Sequence, residues 1–109
     1  MRYGLKLPGY EAGKPFEFER EMGYSRAEFL QVAQQSLAGK ASVSGVDDGV
    51  CVATVTGRLT LRVLESSQRR LGVMALPVSR VRFAFEGMSE RQIQQWLDVL
   101  ERTFHRGGG

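Results

Sequence analysis

The residues best suited to binding chemistry are six arginines in one stretch of the chain. Residues 58–82 contain six arginines and one glutamate, a local charge of +5, whereas the other residues carry nine basic and eleven acidic side chains. Guanidinium groups form forked hydrogen bonds with phosphate and carboxylate. We therefore predict an anion-binding or partner-binding surface formed by Arg58, Arg62, Arg69, Arg70, Arg80 and Arg82. A solvated face without a ligand is the other interpretation.

Groups that could support nucleophilic or metal chemistry are scarce. The single histidine, His105, falls near the end of a predicted helix, where it can interact with the helix dipole or with solvent. The single cysteine, Cys51, lies in an apolar segment, where a thiol usually behaves as a small buried hydrophobe. The chain has no CxxC or HxxxH spacing. We predict no metal ion and no cofactor.

Two groups of carboxylates could be proposed for acid/base catalysis. Asp47 and Asp48 precede Gly49, a combination typical of a hairpin turn. Glu17, Glu19 and Glu21 alternate with other residues, as on an exposed edge strand, where charge discourages aggregation. Because a structural role accounts for both groups, we expect a protein without catalytic activity, although a small carboxylate site remains an alternative.

Two segments carry the signals of helices. Ser25 and Glu28 form one predicted capping box and Ser89 and Gln92 form another, each ahead of apolar residues at helical spacing. These patterns predict helices at 25–38 and 89–105. We expect the second helix to pack on a sheet through its apolar stripe, which comprises Ile93, Trp96, Leu97, Leu100 and Phe104.

Between the helices the apolar period becomes two, which predicts an antiparallel meander of four to six strands. Turns are expected at Asp47–Gly49 and at 65–68. Pro77 is expected at a turn, an edge or a strand start, which favours two strands within 71–85. Gly57 fits either a turn or a bulge, and we favour a bulge in one long bent strand. The fold class is therefore α+β.

We predict one α+β domain at 23–105, and the segments on either side of it are predicted to lie outside its helices and central strands. Residues 1–22 fit short edge strands around Tyr3–Leu7 and Phe16–Phe18, or a mobile arm, and 106–109 fit a flexible glycine tail. Gly108 and Gly109 are similar to the diglycine end of ubiquitin-like sulfur carriers and modifiers, but a helix is predicted where that family has a strand. An inert tail is the other interpretation.

Alternation along the strands indicates which side chains share a face. In 58–64 and 78–85, arginines alternate with apolar side chains. Since successive strand residues point to opposite faces, Arg58, Arg62, Arg80 and Arg82 are expected on one face, opposite a face covered by helices. Around Cys51 and Met74 both alternating sets are apolar, which predicts that the N-terminal segment, a helix or a second copy covers part of the second face.

These patterns favour a binding or accessory module that engages a protein partner, with a homodimer slightly preferred over self-coverage. The alternative is sequence-independent binding of nucleic acid through the arginines, without stacking because no aromatic residue is expected on their face. The single cysteine and the lack of an apolar run of roughly 20 residues predict a cytoplasmic protein without a membrane segment.

Overall fold

Both helices begin at the predicted serines. The computed structural model describes residues 7–39 and 42–105, and in it α1 spans Arg26–Leu37 and α2 spans Glu90–Thr103. The Ser25 hydroxyl accepts a hydrogen bond from the backbone N–H of Glu28 at 3.2 Å, and the Glu28 carboxylate accepts one from the backbone N–H of Ser25 at 3.0 Å. Ser89 and Gln92 repeat this arrangement. Both predicted capping boxes are confirmed.

Five antiparallel strands form one sheet, as expected for the α+β class. The strands are β1 (Phe16–Met22), β2 (Ser42–Val46), β3 (Gly49–Ala53), β4 (Arg58–Leu71) and β5 (Met74–Glu86). Their order is β1-β5-β4-β3-β2, so β2 to β5 form the predicted meander and β1 pairs with the last strand. The Asp47–Asp48 turn joins β2 and β3, with Asp48 at a φ of 58°.

The core lies between the two helices and one side of the sheet, which we call the inner face. Phe29, Ala33 and Leu37 of α1 are fully buried there, and Ile93 and Leu100 contribute from α2. The rings of Phe29 and Phe104 stack with centroids 4.8 Å apart, which joins the two helices. The strands contribute a buried set comprising Met22, Val50, Val52, Leu59, Leu61, Val63, Val81, Phe83 and Phe85.

Two predictions for the second half of the meander are wrong, namely the turn at 65–68 and the division into two strands at Pro77. Residues 65–68 lie inside β4, and Pro77 lies inside β5, where it pairs with Gln68. The actual turn is Gly72–Val73, with Gly72 at a φ of 61°. β1 ends its pairing with β5 at Ser79, so Pro77 lies where β5 is an edge, one of its predicted positions, and its missing N–H removes no bond to β1. Residues 58–86 therefore form one long hairpin with a bulge between Val63 and Glu65.

The preferred bulge at Gly57 is also wrong, because Gly57 ends the turn between β3 and β4. Its backbone N–H donates to the Thr54 hydroxyl at 3.0 Å. A Cβ atom at this position would overlap the carbonyl oxygen of Glu86 and lie 2.9 Å from the carbonyl carbon of Gly87. The glycine is therefore required by the close approach of two backbone turns.

Some predicted features lie outside the described residues. These are the strand residues Tyr3 and Leu5 and the glycine tail at 106–109. Leu7, the last residue of the first alternating segment, precedes a turn in which the backbone N–H of Tyr10 donates to its carbonyl oxygen at 3.1 Å.

The close approach at Gly57 predicts a marked loss of stability in Gly57→Ala. Displacing two backbone turns should lower the free energy of unfolding by about 1–3 kcal/mol, measured by urea denaturation. Gly39→Ala is the control, since a Cβ at Gly39 meets nothing within 4 Å. It should leave stability unchanged or slightly raise it. Equal losses in the two variants would contradict the assigned role of Gly57.

Candidate interaction surface

Four of the six predicted site arginines lie together on the sheet. Arg58, Arg62, Arg80 and Arg82 point away from the core, on the side that we call the outer face, since they alternate with buried residues of β4 and β5. Arg69 follows on the same face, and Arg70, its neighbour in β4, points to the inner side. The alternation therefore brings five of the six together and separates Arg70.

Glutamates stand among these arginines on the outer face. Glu17, Glu19 and Glu21 of β1 pair in register with Ala84, Arg82 and Arg80 of β5. Glu65 and Glu86 lie on the same face, opposite Arg80 and Arg58. Across all five described strands, this face carries five arginines and five glutamates, hence no formal net charge. The local excess of positive charge in residues 58–82 is therefore offset by strand pairing.

Ion pairs connect most of these side chains. The Nη2 atom of Arg82 lies 3.0 Å from Oε2 of Glu19, and Nη2 of Arg69 lies 2.9 Å from Oε1 of Glu21. Arg80 has longer contacts of 3.8 Å with Glu19 and with Glu65. These side chains are largely solvent-exposed, so each pair contributes only about 0–1 kcal/mol to stability. Their main effect is on the charge that the face presents.

Arg58 and Arg62 illustrate the two extremes of this charge balance. The Nε atom of Arg58 donates a hydrogen bond to Oε1 of Glu86 at 2.8 Å. This hydrogen bond, together with the negative charge of the Glu86 carboxylate, raises the pKa of Arg58. Arg62 has no ion pair among the described residues and stands directly opposite Arg82, an unfavourable placement of like charges. Arg62 is thus the outer-face arginine most available to an external carboxylate or phosphate.

The second part of this surface is the end of the β4–β5 hairpin that lies nearest to the Gly72–Val73 turn. β3 pairs with β4 only as far as Arg62, and one further hydrogen bond runs from the backbone N–H of Val63 to the carbonyl oxygen of Asp48. On the other side of the hairpin, β1 pairs with β5 only as far as Ser79. Residues 64–78 therefore continue as a two-stranded ribbon with no third strand among the described residues. We call this ribbon the arm.

Apolar side chains of the arm are open to solvent. Leu71, Met74 and Leu76 lie on its outer face, with 55%, 57% and 39% of their surface exposed. Val73 at the tip is fully exposed. Neither helix covers them, since the buried residues of α1 and α2 belong to the inner-face core. Helix coverage of the doubly apolar strand around Met74 is therefore excluded.

The described residues show neither a metal-ligand cluster nor a membrane-spanning helix. Within 7–39 and 42–105, no three His, Cys, Asp or Glu residues are grouped so that they could hold a metal ion. In the same residues, no helix is long and apolar enough to cross a membrane. His105 is exposed after the end of α2, and Cys51 is half-buried in β3.

Comparison with known proteins gives no functional assignment. No protein-family description, curated protein or solved structure matches the chain.

Sequence reasoning missed both the charge balance and the arm. The alternation in β1 indicated three glutamates on one side, but only the register with β5 places them beside Arg80 and Arg82. The arm was missed because its polar residues at 65–68 resemble a turn. The signal in the sequence that could have revealed the arm was the apolar alternation of Met74 and Leu76, because it predicted an apolar surface in need of a covering element.

The charge balance predicts that Glu19→Gln will strengthen binding to a polyanion. This substitution removes the carboxylate that contacts Arg82 and Arg80. The variant should elute from heparin at higher salt than the wild-type protein, while its stability falls by less than about 1 kcal/mol. Glu11→Gln changes net charge equally but frees only Lys14, which lies outside the strands. Identical elution of the two variants would show that net charge alone determines retention.

Proposed function

We propose that this protein is a non-catalytic binding module whose arm and adjoining outer face engage a partner protein. The observation that carries the proposal is the exposed apolar row Leu71, Val73, Met74 and Leu76 on a ribbon that projects beyond the other strands. A two-stranded hairpin is at best marginally stable alone in water, and clustered exposed apolar side chains mark interaction sites. A partner would bury this row and support the ribbon.

The character of the surface favours a protein over a nucleic acid. Apolar residues occupy the end of the arm, and the arginines nearest to it are matched by Glu21 and Glu65. A phosphate backbone would meet these carboxylates and gain little from the apolar row. A protein surface can offer both apolar groups and charges of either sign. Polyanion binding through Arg62, Arg80 and Arg82 is the alternative function.

A second copy of the chain is one form that this partner can take. The outer face around Met74 is apolar and uncovered by the helices, which supports the expectation of a homodimer. The site of action that we propose is the cytoplasm, in keeping with a single cysteine that has no partner in the chain for a disulfide. Self-association and binding of a different protein make separate predictions for the mass in solution.

The proposal predicts site-specific cross-linking through the arm. A photoreactive amino acid at Leu76 in the full-length chain, expressed in source cells, should yield one dominant protein adduct. The same group at Val55 should not, although Val55 is fully exposed, because it lies in the turn between β3 and β4. An adduct of twice the 12.2 kDa chain mass would identify a second copy.

A quantitative binding measurement then tests the identified partner. Met74→Asp should weaken binding of the purified partner at least about tenfold, because a carboxylate would replace a buried apolar contact. Val55→Asp, the matched control, should leave the affinity unchanged. Equal affinities for both variants would overturn the proposal. Salt-sensitive oligonucleotide binding that is lost in the Arg80→Ala/Arg82→Ala variant would support the alternative function instead.

A further inference from the structure

A cavity of about 220 Å³ lies on the inner side of the sheet, between the last turns of α2 and the strands β1 and β5. It is separate from the arm and from the outer face. Its apolar wall comprises Phe18, Met22, Phe83, Leu97, Leu100 and Phe104. A cavity of this size is smaller than the range of about 300–1,000 Å³ typical for drug-sized ligands, which favours a short apolar ligand.

Arg20 gives this cavity a charged side. Phe16, Phe18, Arg20 and Met22 alternate on the inner face of β1, where the other three are apolar and packed with the core. Outside the arm, Arg20 is the one charged residue on the inner face among the described strand residues. Its guanidinium lies over the Phe18 ring, 5.5 Å from the centroid, within the wall of the cavity.

The other polar side chains of the cavity are Glu101 and His105. The Glu101 side chain already has an interaction partner. Arg20, by contrast, forms no ion pair among the described residues. Arg20 can therefore offer its forked donors to an external carboxylate, and the imidazole of His105 can add a further hydrogen bond. A nearby Glu101 carboxylate disfavours a dianion such as a phosphate monoester, so the expected anion carries one charge.

We infer that this cavity binds a small amphipathic monocarboxylate, with its hydrocarbon chain against the aromatic and leucine wall and its carboxylate at Arg20. The inference goes beyond the proposed function and does not rest on it. An inward charge on an edge strand can also serve only to prevent strand pairing between molecules, and that role would leave the cavity without a ligand.

The test is a titration of the full-length protein with octanoate, followed by backbone amide chemical shifts in NMR spectra. Saturable shifts confined to the end of α2, β1 and β5 are expected, with half-saturation near or below roughly 1 mM. Arg20→Met keeps an unbranched side chain at an exposed position and should weaken octanoate binding about tenfold or more. Arg62→Met on the outer face is the matched control and should not change it.

A neutral ligand distinguishes the contribution of the Arg20 charge to binding from that of the apolar wall. 1-Octanol should bind wild type and Arg20→Met with the same affinity, because it contacts only the apolar wall. Shifts centred on the arm, absence of saturation, or equal octanoate affinity in wild type and Arg20→Met would each overturn the inference. Aggregation of Arg20→Met with unchanged octanoate affinity would assign Arg20 to the prevention of strand pairing. None of these readouts depends on partner binding by the arm.

Discussion

The unequal length of neighbouring strands is the constraint from which the rest of the structure follows. β4 and β5 have 14 and 13 residues, whereas β1 has seven and β3 has five. Only the half of the hairpin nearest Arg58 and Glu86 therefore has strands on both sides and helices beneath it. In the other half, only the backbone groups that face the partner strand are paired by the ribbon, and the side chains are open to solvent.

This division also explains which parts of the fold could be predicted. The capping boxes at Ser25 and Ser89 depend on residues three positions apart, so they could be recognised without knowledge of the fold. The alternation from Arg58 to Val63 exists because one face of β4 is buried there. Beyond the bulge neither face is buried, so the sequence from Glu65 to Gln68 lacks a strand pattern and looks like a turn.

The candidate surfaces were predictable to a different extent. Shared orientation of Arg80 and Arg82 follows from local geometry alone. Their neutralisation by Glu19, and the inward position of Arg20, depend on the partner and register of β1. That partner is β5, which is separated from β1 along the chain by α1 and three strands, and no local pattern specifies such a pairing. The sheet thus offers two chemically different faces of β1, one balancing charge and the other bringing a cation to an apolar cavity.

The pairing of β1 with β5 also has a consequence for the order of events during synthesis. Met22 pairs with Ser79 and Phe16 with Phe85, which are 57 and 69 positions further along the chain. The other strands pair with their immediate successors, so their contacts can form early, whereas this one closes a long loop. At translation rates of about 5–20 residues per second, β1 waits roughly 3–14 s for its partner to be made. Its alternating glutamates keep this waiting strand charged, and we expect them to hinder its association with other nascent chains.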